Sequence, residues 1–267
     1  MFTNFVNKQI KSLNIKNKNF CSKDYEFLDE NEHLGKNICL LTLGGSYSYG
    51  TNVEGSDIDI RGVATNSCSD ILGLTNFEQV VDEKTDTTIY AFNKIINLLM
   101  NCNPNVLEML GCLPEHYLYL NDIGRQLIDN RKLFISQKAI HSFGGYAITI
   151  VRDYDKLNGR NHKKDDAHLN KHSAHLLRLY YTCIDIFEKG DIITYRKDNH
   201  DILMKTRNGY FMNEDGSYKS EFFDILNDLK NRLEYAKSNT SIPKTPDFKK
   251  IQDFVIEVNR KVIQNNQ

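Results

Sequence analysis

The sequence has little proline and glycine, and it has no excess of charge of either sign. Its 267 residues include only 4 prolines and 15 glycines, and 40% of them are hydrophobic. This composition excludes a collagen-like, mucin-like or wholly disordered chain. The 34 basic and 35 acidic residues give a formal net charge of −1. Because an architectural nucleic-acid-binding protein carries a large basic excess, any phosphate-binding surface must here be a local patch.

The sequence also lacks the cysteine patterns of metal modules and the long apolar runs of membrane proteins. Its six cysteines are scattered, without a Cys-x-x-Cys pair, which favours reduced thiols and argues against a zinc module. There is no apolar run of about 18 residues, as a membrane span would need. The N-terminal segment has no apolar stretch typical of a signal peptide. We therefore expect a cytoplasmic protein that does not bind membranes.

The two halves of the chain have different hydrophobic patterns. Short apolar or alternating runs predict strands at 38–43, 57–63, 78–81 and 86–90. Helical spacing starts at Phe92, and Asn103-Pro104 is a typical start of a further helix. The later helical patterns lie at 139–157, 166–189, 222–237 and 248–263. We expect an α+β fold with a lead-in segment at 1–37, a small mixed β-sheet core flanked by helices at 38–134, and a helical domain at 135–267.

Two carboxylates stand two residues apart in the strand predicted at 57–63. Asp57, Asp59 and Arg61 share one face of that strand, and the isoleucines between them share the other. Alternate Cα atoms of a strand are about 6–7 Å apart, so both carboxylates can coordinate one hard divalent cation. The alternative is an edge strand whose aspartates are only solvated.

A glycine-rich turn closes the preceding strand, at Gly44-Gly45-Ser46. Backbone N–H groups at such a turn can approach a phosphate because no Cβ intervenes, and the start of a helix favours negative charge. The alternative is an ordinary glycine turn. If the turn and the Asp57-x-Asp59 pair lie on adjacent strands, metal-bound phosphates would fit between them.

The order of these motifs resembles a known signature. Gly45-Ser46, ten residues and then Asp57-x-Asp59 is similar to the nucleotidyltransferase signature of the DNA polymerase beta superfamily. The closer resemblance is to a family of bacterial and phage predicted nucleotidyltransferases. It is carried by LGGSYSYGTNVEGSDIDIRGV at 43–63, Asp86-x-x-x-Tyr90, NPNVLEML at 103–110 and His175-x-x-Arg178-Leu179.

The resemblance implies a nucleotidyltransferase that moves a nucleoside monophosphate from an NTP, such as ATP, to a hydroxyl acceptor and releases pyrophosphate. It implies that Asp57, Asp59 and Asp86 are catalytic and bind Mg²⁺, or Mn²⁺ in its place. Gly45 and Ser46 would bind the phosphates of the nucleotide.

Asp86 is the expected third carboxylate of this site. In the strand predicted at 86–90 it shares a face with Thr88 and Tyr90, so its side chain would meet the other two aspartates across the sheet. Asp82 and Glu83 compete for the role, but they lie in a predicted turn. Asp86 would act as the base or as a ligand of the metal at the nucleophile.

Basic side chains recur at helical spacing in the 166–189 pattern and just before it. This stripe consists of Lys164, His168, Lys171, His175 and Arg178. A basic stripe is often only a solvated helix face. Because a helical domain next to a nucleotidyltransferase core commonly supplies cations, we expect Lys171, His175 and Arg178 to bind the nucleotide.

For four further residues near the motifs, the sequence leaves two roles open. Arg61 either binds the triphosphate or neutralises Asp59. Tyr47 and Tyr49 either stack on a base or pack. Glu108 is either helix surface, with a possible capping role, or part of an acceptor site.

Several functions share this donor chemistry. Three acceptors of the nucleotidyl group fit: the 3′ end of an RNA, notably tRNA, a hydroxyl of a protein, or a small molecule. Toxin–antitoxin pairs also use this core. The competing class is a non-catalytic nucleotide- or nucleic-acid-binding module, which would not need a complete carboxylate triad. The sequence indicates neither the preferred base nor the oligomeric state.

Overall fold

The computed structural model describes residues 2–13, 21–144 and 166–265. It confirms the α+β class, with a five-stranded mixed sheet among helices and a helical C-terminal part. The strands are β1 (Ile38–Leu43), β2 (Ile60–Ala64), β3 (Gln79–Asp82), β4 (Thr87–Ala91) and β5 (Tyr117–Leu120). The N-terminal and central helices are α1 (Phe2–Ser12), α2 (Phe27–Glu30), α3 (Gly45–Tyr49), α4 (Cys68–Leu72), α5 (Phe92–Met100), α6 (Pro104–Leu107) and α7 (Asp122–Asp129). The C-terminal helices are α8 (Asp166–Lys189), α9 (His200–Arg207), α10 (Ser220–Asn239) and α11 (Phe248–Asn265).

The sheet brings three chain segments together at one end. The strand order is β3-β4-β2-β1-β5, with β2 and β4 parallel and all other neighbours antiparallel. Leu43, the last residue of β1, pairs with Ile60, the first residue of β2. Ile60 in turn pairs with Thr87, the first residue of β4. The residues that follow β1 and those that precede β2 and β4 therefore lie side by side.

Each face of the sheet is covered by a different set of helices. On one face, Phe2, Val6 and Ile10 of α1 recur at helical spacing and pack against the strands. On the other face, Val63 belongs to a core that also includes α5 and Leu176 of α8. One hydrophobic cluster thus joins the sheet to the C-terminal helices, and the boundaries at 37 and 134 stay predictions.

Two predicted strands start later than their sequence pattern indicates. Asp57 and Asp59 lie in an extended segment before β2, not in the strand predicted at 57–63. The predicted alternation persists there, with Ile58 and Ile60 buried. Asp86 does not open β4 but precedes it, with φ at +44°, a left-handed conformation that Asp adopts more readily than most residues. All three aspartates therefore lie just outside the strands, beside the end of the sheet.

The helical predictions hold for most of the C-terminal half. α8 occupies the range predicted at 166–189, and α10 and α11 each extend the predicted range slightly. The helix predicted at 139–157 is present at 139–144, and its remainder lies outside the described residues. α9 and the edge strand β5 were not predicted. No helix in the described ranges combines the length and the apolar character that crossing a membrane requires.

Candidate active site

The glycine turn after β1 fits directly against Asp59. Gly45 is the first residue of α3 and has φ at +54°, in the left-handed region. A Cβ built on Gly45 would lie 1.6 Å from Oδ2 of Asp59. The Gly44 N–H donates to the Asp59 carbonyl oxygen at 2.8 Å and fixes the two segments together. Only glycine at position 45 allows the backbone to approach this carboxylate.

Asp59 and Asp86 are in direct contact, as the sequence predicted for a convergent acidic site. A side-chain hydrogen bond joins the two carboxyl groups. Burial raises the pKa of Asp59 to about 7, and the hydrogen bond and charge of Asp86 add to the increase. Burial also raises the pKa of Asp86, but Asp59 and Arg61 outweigh it, and the net pKa of Asp86 is lowered. The two carboxyl groups therefore titrate as an interacting pair, in which Asp59 takes up a proton more readily than Asp86.

Arg61 forms an ion pair with Asp86, the acid next to Asp59. Its Nη2 donates to Oδ1 of Asp86 at 3.0 Å, and its Nη1 donates to the Asp86 carbonyl oxygen. The sequence left two interpretations open for Arg61, binding of the triphosphate or neutralisation of Asp59. Because Ile60 and Thr87 pair in parallel register, the residues before them meet, and Arg61 reaches across to Asp86.

The acidic pair lines a cavity of about 420 Å³. Gly45, Ser46 and Asp57 also line it, so the predicted phosphate turn and all three predicted aspartates surround one space. Asp57 is exposed, whereas Asp59 is partly buried. A cavity of this size is within the range of about 300–1,000 Å³ typical of small-molecule sites.

The chemistry of the three aspartates suits a hard divalent cation. Mg²⁺ is bound through carboxylate oxygens together with substrate phosphates. Burial raises the pKa of Asp59, and the neighbouring Asp86 raises it further. Within the described ranges, no three Asp, Glu, His or Cys side chains already stand in a metal-binding arrangement. Asp57 is exposed on the wall of the cavity.

Helix α8 supplies the opposite wall of the cavity. Lys171 is exposed and lines the cavity, and its charge acts on Asp86. His175 lines it too, but burial and the neighbouring Arg178 lower the pKa of His175 to about 3. His175 is therefore neutral near pH 7 and does not provide the cation that the basic stripe predicted.

Arg178 is a buried ion-paired residue and not part of an exposed stripe. Its side chain is 4% exposed and pairs with the carboxylate of Glu108, which is 5% exposed. Its guanidinium carbon lies 3.7 Å from the centre of the Tyr49 ring, and the Tyr49 hydroxyl donates to Glu108 at 2.9 Å. Nη2 of Arg178 lies 3.1 Å from Nδ1 of His175, which must accept because arginine only donates.

This cluster bears on two residues for which the sequence left two interpretations open. Glu108 is buried in the short turn after α6 and is not on a helix surface. Tyr49, the last residue of α3, is held between α8 and that turn, so its packing interpretation fits the structure better than base stacking. Because Arg178 also lines the cavity, it joins α8 to the phosphate turn.

The two remaining residues of the basic stripe are Lys164 and His168. Lys164 lies outside the described residues. His168 is exposed at the start of α8 and its ring contacts that of His172. Sequence reasoning missed Arg207, which lines the cavity from α9. The Asn208-Gly209 pair after it is a typical helix stop and was the available signal for α9.

Comparison with known families agrees with this geometry. The model of RlaP, described as the RNA repair pathway DNA polymerase beta family, matches residues 22–257. Among curated proteins, none is similar enough to count as a match. The family match covers most of the chain and confirms the resemblance to the DNA polymerase beta superfamily. The chain therefore belongs to the RNA repair pathway DNA polymerase beta family, RlaP, whose name points to nucleotidyltransferases.

Proposed function

We propose that the protein transfers the nucleotidyl group of an NTP to a hydroxyl at the end of an RNA strand. The observation that carries the proposal is the contact between Asp59 and Asp86 beside Gly45, in a cavity that also contains Lys171. Perturbed carboxylates in a cleft are typical of functional sites. The choice of RNA as acceptor rests on the family description, which refers to RNA repair.

Each residue has a defined task in this proposal. The backbone N–H groups of Gly45 and Ser46 bind the β- and γ-phosphates, and Lys171 and Arg207 offset their charge from the facing helices. An acceptor hydroxyl oxygen bonds to the α-phosphorus, and the bond to the bridging oxygen breaks. Pyrophosphate leaves with that electron pair, and the hydroxyl proton passes to the ionised Asp86.

Asp57, Asp59 and Asp86 are the residues that would hold Mg²⁺. When bound, Mg²⁺ neutralises phosphate charge and lowers the pKa of a hydroxyl. Without it, two close carboxylates repel the triphosphate, and Arg61 offsets only part of this repulsion by pairing with Asp86.

The test is transfer of label from an NTP radiolabelled at the α-phosphate. The purified protein is incubated with Mg²⁺ and each of the four NTPs, together with total RNA, a protein lysate or a small-molecule extract. We expect label in RNA, lost in Asp59→Asn and Asp86→Asn and kept in Asp224→Asn, an exposed aspartate on α10. Label in protein or in a small product would change the acceptor. Absence of transfer to any of them would favour a non-catalytic binding module.

A further inference from the structure

Buried polar side-chain atoms without a hydrogen-bond partner are concentrated along one path through the molecule. Within the described ranges they belong to His116, Arg178 and Arg196. Arg178 lines the cavity of the three aspartates, His116 lines a middle cavity of about 700 Å³, and Arg196 lines a third cavity of about 320 Å³. The first two cavities share Val53, and the last two share Tyr195. The three cavities therefore adjoin in a row, with the aspartates at one end and Arg196 at the other.

Arg196 is a buried arginine whose hydrogen bonds are only partly made. The residue is 2% exposed, and its Nη2 donates to Oδ2 of Asp185 at 2.7 Å and to the Ile193 carbonyl oxygen. Its Nε and Nη1 have no partner in the part of the chain that the structure describes. Buried donors of a charged group are costly to leave unpaired. An anion in the adjoining cavity would therefore stabilise this side chain.

The walls of the Arg196 cavity carry more positive than negative charge. Among the described residues, its charged side chains are the basic Lys189, Arg196, Lys197 and Arg232 and the acidic Asp185 and Asp198. Asp185 is shared by two of these cations, Arg196 at 2.7 Å and Lys189 at 2.8 Å. Lys197 is exposed, and none of the described residues forms an ion pair with it. This balance suits an anion, and a guanidinium in the wall suits the oxygens of a phosphate.

We propose that the Arg196 cavity binds a backbone phosphate of the acceptor RNA strand, whose end reaches the aspartates through the middle cavity. The inference rests on the proposed function and names a contact of its second substrate away from the reacting hydroxyl. The backbone N–H of Arg196 donates to the Tyr49 carbonyl oxygen at 3.0 Å, and Tyr49 lines the cavity of the aspartates. The volume of the middle cavity, about 700 Å³, is sufficient for a nucleoside between the two ends. A strand, unlike a single nucleotide, carries phosphates that can occupy both ends at once.

Reversing one exposed charge of the Arg196 cavity tests the proposal. Replacement of the buried Arg196 can unfold the protein, so the variant is Lys197→Glu, and binding of a fluorescent oligoribonucleotide without NTP is followed by anisotropy. Lys36→Glu is the matched control, because Lys36 is exposed and precedes β1, whose opposite end, Leu43, lines the middle cavity. We expect the Kd to rise about tenfold or more in Lys197→Glu, with a shallower dependence on salt, and to stay unchanged in Lys36→Glu. The same Kd in both variants would overturn the proposal.

Two further measurements identify the source of the phosphate. With oligoribonucleotides of increasing length, we expect Lys197→Glu to weaken binding only of strands long enough to reach from the aspartates to the Arg196 cavity. An effect of equal size at every length, or an equal rise in the Kd for the NTP alone, would overturn the proposal.

The binding assay also separates this inference from the proposed function, because it requires no transfer. Label transfer to RNA with an unchanged Kd in Lys197→Glu would refute only the phosphate site. Absence of label transfer, with the expected dependence of the Kd on charge and length, would refute only the reaction.

Discussion

Two carboxylate clusters lie on opposite ends of α3, and they are built in opposite ways. At the first residue of α3, Asp59 contacts another acid, Asp86, in an open cavity. At the last residue, Tyr49 contacts Glu108, whose charge is matched by a buried arginine. In the first cluster the pKa of Asp59 is raised, and Asp86 pairs with the partly exposed Arg61. In the second cluster Glu108 has a buried ion pair and a hydrogen bond.

The difference indicates which of the two clusters is suited to bind a ligand. Two acids in contact destabilise each other's charge until a cation or a proton arrives. In a buried ion pair the two charges compensate each other, and removing one partner leaves an uncompensated charge. We therefore assign ligand binding to the Asp59–Asp86 end of α3 and positioning to the Glu108–Arg178 end.

The largest expected effect comes from closing the space between Gly45 and Asp59. Gly45→Ala places a Cβ 1.6 Å from Oδ2 of Asp59 and forces the carboxylate away. We expect the rate of nucleotidyl transfer to fall about 10²–10³-fold, comparable to loss of a group that stabilises the transition state. The measurement is label transfer, with circular dichroism to verify folding. Gly144→Ala is the control, because its Cβ would meet no atom of the described residues within 4 Å. Equal activity of the two variants would contradict the close-approach argument.

The next effect is on stability and concerns the buried cluster. Arg178→Ala leaves Glu108 charged and buried, so we expect the free energy of unfolding in urea to fall by about 3–5 kcal/mol. The matched variant is Arg232→Ala, which breaks an ion pair to Glu188 whose arginine is 48% exposed. We expect that variant to lose at most about 1 kcal/mol. If both variants lose the same amount, Arg178 does not position α3 in the way described.

A smaller effect is expected for the exposed cation of α8. Lys171→Ala removes a charge that faces the cavity, and we expect the KM for the NTP to rise about tenfold with little change in stability. Lys230→Ala, on the exposed face of α10, is the control. The same KM in both variants would show that Lys171 is only solvated.

The smallest effect is a change in the pH dependence of stability. Burial and the charge of Arg178 lower the pKa of His175 in the folded protein to about 3, from its ordinary value of 6.5. As the pH falls, the unfolded chain binds a proton at His175 before the folded protein does. The free energy of unfolding is therefore highest above pH 6.5 and decreases progressively towards pH 3. We expect His175→Gln to flatten the dependence of the unfolding free energy on pH in this window. His200→Gln, at an exposed position, is expected to keep the wild-type slope.

The local features of the site could be predicted from the sequence. The alternation around Asp57 and Asp59 and the Gly45-Ser46 turn each depend on neighbouring residues only, and the structure places them around one cavity. Asn103 accepts from the backbone at the start of α6 and Pro104 is its first residue, as their order predicts. These signals come from backbone geometry, which a short segment determines.

The features that the sequence did not predict depend on distant partners. Glu108 and Arg178 are 70 residues apart, and neither segment alone indicates that both side chains are buried together. Arg178 looks like one of several cations on a helix face until α3 packs over it. β5 is an edge strand of four residues in which only Leu118 is fully buried, so its pattern is weak.

The most direct test of the central claim is a crystal structure of the protein with Mg²⁺ and a non-hydrolysable NTP analogue. The account predicts electron density for the metal at Asp59 and Asp86, with Asp57 turned towards it and the β- and γ-phosphates at Gly45 and Ser46. A nucleotide bound elsewhere, or bound in this cavity with no metal at the aspartate pair, would contradict it.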